Sequence, residues 1–146
     1  MGIFTNLFGT TKDQAQEPLD ANYIETIINE SDDEPFGVSE RNIIYVGYNE
    51  LGGYYFLQTL IVGAFKIKTK AGASLLIEGQ DYTFDLDVDM PEFESEAATS
   101  FKGFVTKIDF EIDQATVEKI KKSTIDQLTL TVKNHKIIFS VYNSEG

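Results

Sequence analysis

The amino-acid sequence predicts an α+β chain that is mostly antiparallel β, folded as a β-sandwich or a curved sheet of seven to eight strands with one or two short helices. Three observations carry this expectation. From Ile43 onward apolar and polar residues alternate with period two in run after run, the pattern of strands with one buried face. Gly and Asn punctuate those runs at short intervals, as in hairpin-connected sheets. Helical spacing is confined to short segments.

The first 18 residues read as an N-terminal arm, with 19–146 as a single β-rich domain. Ile3, Phe4, Leu7 and Phe8 fit one face of a short helix, and the polar stretch 9–18 reads as a linker. Gly2 resembles an acylation start, but Asn6 stands where that pattern wants Ser or Thr. Next, Leu19, Tyr23, Ile24, Ile27 and Ile28 share one helical face, with Asp20 placed as N-cap and Pro18 ahead of it. The isoleucine content keeps a strand open as the alternative for Tyr23–Ile28. The run Glu30–Gly37 then ends the helix, since Pro35 disfavours helix at Glu34.

Strands are expected at Ile43–Tyr48, Tyr54–Val62, Ala64–Lys70, Ser74–Glu78, Asp81–Val88, Phe101–Ile112, Gln127–Lys133 and Lys136–Tyr142. Gly63 lies between two of these and suggests one bent strand with a bulge. Asp113 can cap a helix over Gln114–Ser123, whose Lys119, Lys121 and Lys122 complement the dipole at its C-terminal end. The apolar side of that helix, Ala115, Val117 and Ile120, is thin, which predicts a helix lying over a sheet edge.

Parity assigns register. A two-residue loop at Asn134-His135 pairs Val132 with Ile137, Leu130 with Phe139 and Leu128 with Val141. A loop at Gly79-Gln80 pairs Ile77 with Tyr82 and Leu75 with Phe84. Around Ala71-Gly72 only a loop of three or five residues sets Ile67 opposite Ile77. The core is then expected to hold Leu128, Leu130, Val132, Ile137, Phe139, Val141, Phe84, Leu86, Ile67, Ile108 and Phe110.

Composition excludes several functions. The chain has 146 residues, 24 acidic against 12 basic, for a formal charge of -12. That length suits one domain, because about 150 residues bury roughly 68–70% of the unfolded surface. With 42% hydrophobic and 12% aromatic residues it is not a disordered sequence. Phosphate backbones and anionic membranes repel such a charge, which argues against nucleic-acid and membrane partners. The charge is uneven: residues 1–50 carry net -8, 51–100 net -5 and 101–146 net +1.

There is no cysteine, which removes thiol nucleophiles, disulfides and thiolate metal sites. The N-terminus lacks a basic and long apolar leader, and Tyr54–Phe65 is interrupted and far short of the ~20 residues of a membrane helix. The sequence therefore reads as a cytoplasmic protein without a transmembrane segment.

Chemistry-bearing patterns are few. Asp85, Asp87 and Asp89 with Glu96 match the acidic positions of an EF-hand loop, but Met90 replaces the required Gly and the flanks are strands. Alternation explains the same residues as a hydrated outer face beside Phe84, Leu86 and Val88. A weak calcium site there is the competing reading.

His135 is the sole histidine and sits at a predicted turn tip, where nothing excludes water. Phosphate-binding, metalloprotease and nucleophile-elbow motifs are absent from the sequence. Lys66, Lys68 and Lys70 are expected on the outer face one strand from Asp85, Asp87 and Asp89, pairing weakly with them.

Tyr45, Tyr48, Tyr54, Tyr55 and Phe56 surround the turn Asn49–Gly53. Alternation sends Tyr54 and Tyr55 to opposite faces, so one is exposed for contact unless the segment 19–28 covers it. The expectation is a non-catalytic acidic binding module with a protein partner, with no cofactor, metal or catalytic residue assigned. The alternatives are an immunity-like inhibitor of a basic enzyme and a calcium- or carbohydrate-binding sandwich.

Overall fold

The structure, a computed structural model, describes residues 22–122 and 124–142. The expectations for Ile3–Phe8, Leu19, Asp20 and the 9–18 linker lie outside those residues.

Tyr23–Glu30 forms helix α1. Eleven strands follow among the described residues, with one more helix. They are β1 (Gly37–Val38), β2 (Asn42–Leu51), β3 (Tyr54–Gly63), β4 (Lys68–Thr69), β5 (Ser74–Gly79), β6 (Thr83–Asp87), β7 (Phe93–Glu94), β8 (Glu96–Ala97), β9 (Phe104–Ile112), α2 (Gln114–Lys122), β10 (Ile125–Val132) and β11 (His135–Val141).

Nine strands make one antiparallel sheet in the order β6-β5-β10-β11-β1-β2-β3-β9-β8, and β4 pairs with β7 separately. Just past β6, Val88 bridges Phe110 of β9, and the Asp89 N–H donates to the Asp109 carbonyl at 2.8 Å. That meeting curls the sheet round on itself. Of the two predicted architectures, the curved sheet is the one formed.

Alternation places the core inside the curl. Leu75, Ile77, Leu128, Leu130, Phe139, Leu57, Ile61, Ile108 and Phe110 are almost fully buried there, each worth about 1.5–3 kcal/mol of apolar burial. Leu75, Ile77, Leu128, Leu130 and Phe139 lie on the faces that parity assigns to the interior, while Phe84 and Ile137 are only partly buried. Val141 is the exposed exception at 38%; its partner at the rim is Gly37, which has no side chain to cover it.

Both predicted hairpin registers shift by two residues. Lys133 takes φ 53°, so Lys133-Asn134 makes the turn and Val132 faces His135, Leu130 faces Ile137 and Leu128 faces Phe139. His135 is therefore the first residue of β11 and not a turn tip. In the other hairpin Gly79 donates to the Tyr82 carbonyl at 3.0 Å, so Ile77 faces Phe84 and Leu75 faces Leu86. A two-residue turn displaced by one position keeps every side chain on its face, and the inward set survives.

The hairpin expected at Ala71-Gly72 does not form. Gly63 turns the chain away at φ 147°, and the Asn42 side chain receives the Phe65 N–H at 2.9 Å. The following segment then pairs as β4 with β7, setting Lys68 opposite Glu94. The lysine row consequently does not lie beside Asp85, Asp87 and Asp89, and Lys66 instead places its Nζ 5.3 Å from the Phe104 ring centre.

Two helices complete the layers. α1 lies on the outer face of the sheet, where Ile27 packs with Ile43 and Val62. Tyr23 donates to the Lys102 carbonyl at 2.8 Å, and burial pushes its hydroxyl pKa up to about 12. α2 begins as expected, with Asp113 Oδ1 accepting the Thr116 N–H at 2.7 Å. Its apolar side is buried more deeply than so thin a stripe predicts. Val117 and Ile120 are each 4% exposed within the main core, because an inward curl leaves an end that two side chains suffice to fill.

Candidate functional site

Strand β3 ends its pairing with β2 at Leu51 opposite Tyr54. Tyr55 and Leu57 point inward and Tyr54 and Phe56 outward, so Tyr54 is 72% exposed and Leu51 69%. These are the two most exposed large apolar side chains described, and they face each other across the hairpin tip. Glu111 of β9 is the register partner of Phe56.

Beside this tip the curl is incomplete. β6 and β9 meet at Val88 and Phe110 and then part, leaving a groove of about 670 Å³. Tyr54 and Phe56 form one wall and Phe84, Leu86 and Ile112 the apolar floor, while Asp85, Glu111 and Asp113 stand at its rim. Asp113 is held below the usual carboxylate range, first by the Thr116 backbone N–H and then by the Thr116 hydroxyl. No described cation forms an ion pair with any of the three carboxylates. The groove can therefore take an apolar group and a positive charge together.

A second groove, about 770 Å³, is lined by the paired strands β4 and β7 together with Lys133. It is the larger, but its Lys68, Lys70 and Lys133 share it with Glu92 and Glu94. Lys133 Nζ is already given to the Lys68 carbonyl at 3.1 Å. Mixed charge leaves that surface without a preferred sign.

The other sequence candidates are dispersed. Asp85 and Asp87 alternate outward on β6 as the hydrated-face reading requires, with Leu86 buried between them. Glu96 pairs opposite Val105 at the start of β9, whereas Asp89 meets the strand at Asp109, so the EF-hand positions are not gathered. Among the described residues no group of three or more His, Asp or Glu is arranged to hold a metal ion. His135 sets its ring edge-on to Phe65 at 5.8 Å, beyond the opposite end of β3 from Tyr54.

The tyrosines divide as well. Tyr45 packs against the α1 cluster with its hydroxyl buried and unpartnered among the described residues. Tyr48 turns inward under Lys121, whose Nζ lies 5.1 Å from its ring centre. Burial raises the Tyr48 pKa, with a smaller push from Tyr82. α1 thus covers Tyr45 and leaves Tyr54 open.

Sequence reasoning found Tyr54 and Phe56 but not Phe84, Glu111 or Asp113 as their neighbours. The join that gathers them, one bridge between Val88 and Phe110, leaves no local signal. Among the described residues no helix is long and apolar enough to cross a membrane. No protein-family model, curated protein or solved structure matches this chain.

Proposed function

We propose that the protein is a non-catalytic acidic binding module that docks a basic protein through the groove between β3, β6 and the start of α2. The observation that carries this reading is an apolar floor rimmed by Asp85, Glu111 and Asp113, carboxylates with no ion-pair partner among the described residues. An overall charge of -12 adds a long-range field that speeds encounter with a cationic protein. An inhibitor masking a basic enzyme is the most specific version of this reading. Tyr54 supplies the broad, low-entropy contact typical of interface centres.

A photo-crosslinking amino acid in place of Tyr54 tests the reading in the source cell. The expected result is a discrete protein adduct, absent when the probe replaces Ile138, which is also exposed at 52% but lies on β11. Glu111→Lys should remove the adduct. No adduct, or the same adducts from both positions, overturns the reading. Capture of a glycan in place of a protein at this groove would shift it to carbohydrate binding.

A further inference from the structure

The groove is also a gap between strand edges. β6 hydrogen-bonds β5 on one side, and the Gly79 N–H to Tyr82 carbonyl bond at the turn sets which residues do so. Backbone groups alternate in direction along an antiparallel pair, so Thr83, Asp85 and Asp87 turn theirs away from β5. Asp89 continues the series by donating to Asp109 of β9.

At Asp85 the outward N–H and carbonyl groups face the groove, and on that side no described strand pairs with Asp85 or with Thr83 at the start of β6. The open edge Thr83–Leu86 is about 13 Å long at the usual strand rise. Its two sides differ: Phe84 and Leu86 line the inner side, while Asp85 stands outward with Glu111 and Asp113 nearby.

We infer that the partner enters this gap as a short extended segment added to the β6 edge, with basic residues outward against Asp85, Glu111 and Asp113 and apolar residues inward on Phe84 and Leu86. The inference rests on the docking reading above and deepens it by assigning the shape and sequence pattern of the bound element. Strand addition supplies main-chain hydrogen bonds for affinity, and alternate side chains supply selectivity. A second copy of this chain fits poorly. Pairing β6 with β6 would bring Asp85 and Asp87 of each copy together, and like charges across strands repel. A strand of alternating Lys and Val meets the same edge with opposite charge outward and apolar groups inward.

The test uses the full chain and a labelled, end-blocked Lys-Val-Lys-Val-Lys-Val peptide, followed by fluorescence anisotropy and amide NMR. Saturable binding is expected, with the amide signals of Thr83 and Asp85 shifting. A Glu-Val-Glu-Val-Glu-Val peptide should not bind. Methylating the backbone nitrogens of the lysines keeps the charge and removes the strand hydrogen bonds, so binding should weaken roughly tenfold or more. Asp85→Lys should weaken binding of the unmodified peptide by roughly fivefold. Equal binding of the methylated peptide overturns strand addition and leaves the docking reading standing. Failure of the unmodified peptide to bind or to shift Thr83 and Asp85 also overturns it, while the crosslink at position 54 judges the docking separately.

Discussion

Gly63→Ala is the sharpest single test of how the curl is built. Gly63 holds φ 147°, a region that side chains cannot adopt cheaply; the backbone strain alone costs about 1–3 kcal/mol. An added Cβ would stand 2.2 Å from the Arg41 carbonyl oxygen and 2.7 Å from Asn42 Oδ1. The first contact is with backbone, so no rotamer change relieves it.

Displacing the second would break the bond from the Phe65 N–H, and leaving that buried donor unpaired costs about 1–3 kcal/mol more. Together with the clash the substitution should destabilise by about 3–6 kcal/mol, a large share of the 5–15 typical of a domain. For a chain of this length that is a melting point lower by about 10–20 °C. Thermal unfolding followed by circular dichroism is the assay, with Asn42→Ala as the partial control, expected to lose only the hydrogen-bond share. A Gly63→Ala protein melting within about 2 °C of wild type would refute the reasoning.

Three further outcomes are expected. Ile120→Ala should cost about 2–5 kcal/mol in chemical denaturation, because α2 fills the end of the core, whereas a change at the exposed Ala115 should stay within about 0.5 kcal/mol. Asp113 has a lowered native pKa, so its stabilising effect is present above its ordinary value of 3.8 and is lost as pH falls through the native one. Asp113→Ala should lower stability at neutral pH and flatten the acid limb of the pH–stability curve, read by urea titration at several pH values. Tyr54→Ser should leave the melting point almost unchanged, since the ring is 72% exposed, while strongly weakening association with the partner that the crosslink identifies.

The inward faces were legible in the sequence because alternation needs only parity. Leu128, Leu130, Val132, Phe139, Ile108 and Phe110 are buried even though both hairpin registers were two residues off. Turn position depends on which residue accepts positive φ, and Lys133 does so one position ahead of the expected Asn134-His135 loop. Long-range pairing was not legible. The two-residue strands β1, β7 and β8 have no alternation to read, and β4 finds β7 only because Gly63 diverts the chain.

The candidate site shows the same division. The outward turn of Tyr54 follows from its neighbour Tyr55, a local fact. Its proximity to Phe84, Asp85 and Asp113 follows from β6 meeting β9, which joins segments more than twenty residues apart. The helix at 114–122 was read correctly in extent and cap but not in depth, since two apolar residues look thin until the sheet curls to meet them.

The central claim is that Asp85, Glu111 and the aromatic wall receive a cationic partner. Its most direct test is the association rate of the protein crosslinked at position 54, measured by stopped flow from roughly 50 to 500 mM salt. The account predicts a rate that falls steeply as salt rises, with Asp85→Asn and Glu111→Gln together slowing it and flattening the slope. A rate independent of salt, or unchanged by that pair of substitutions, would contradict it.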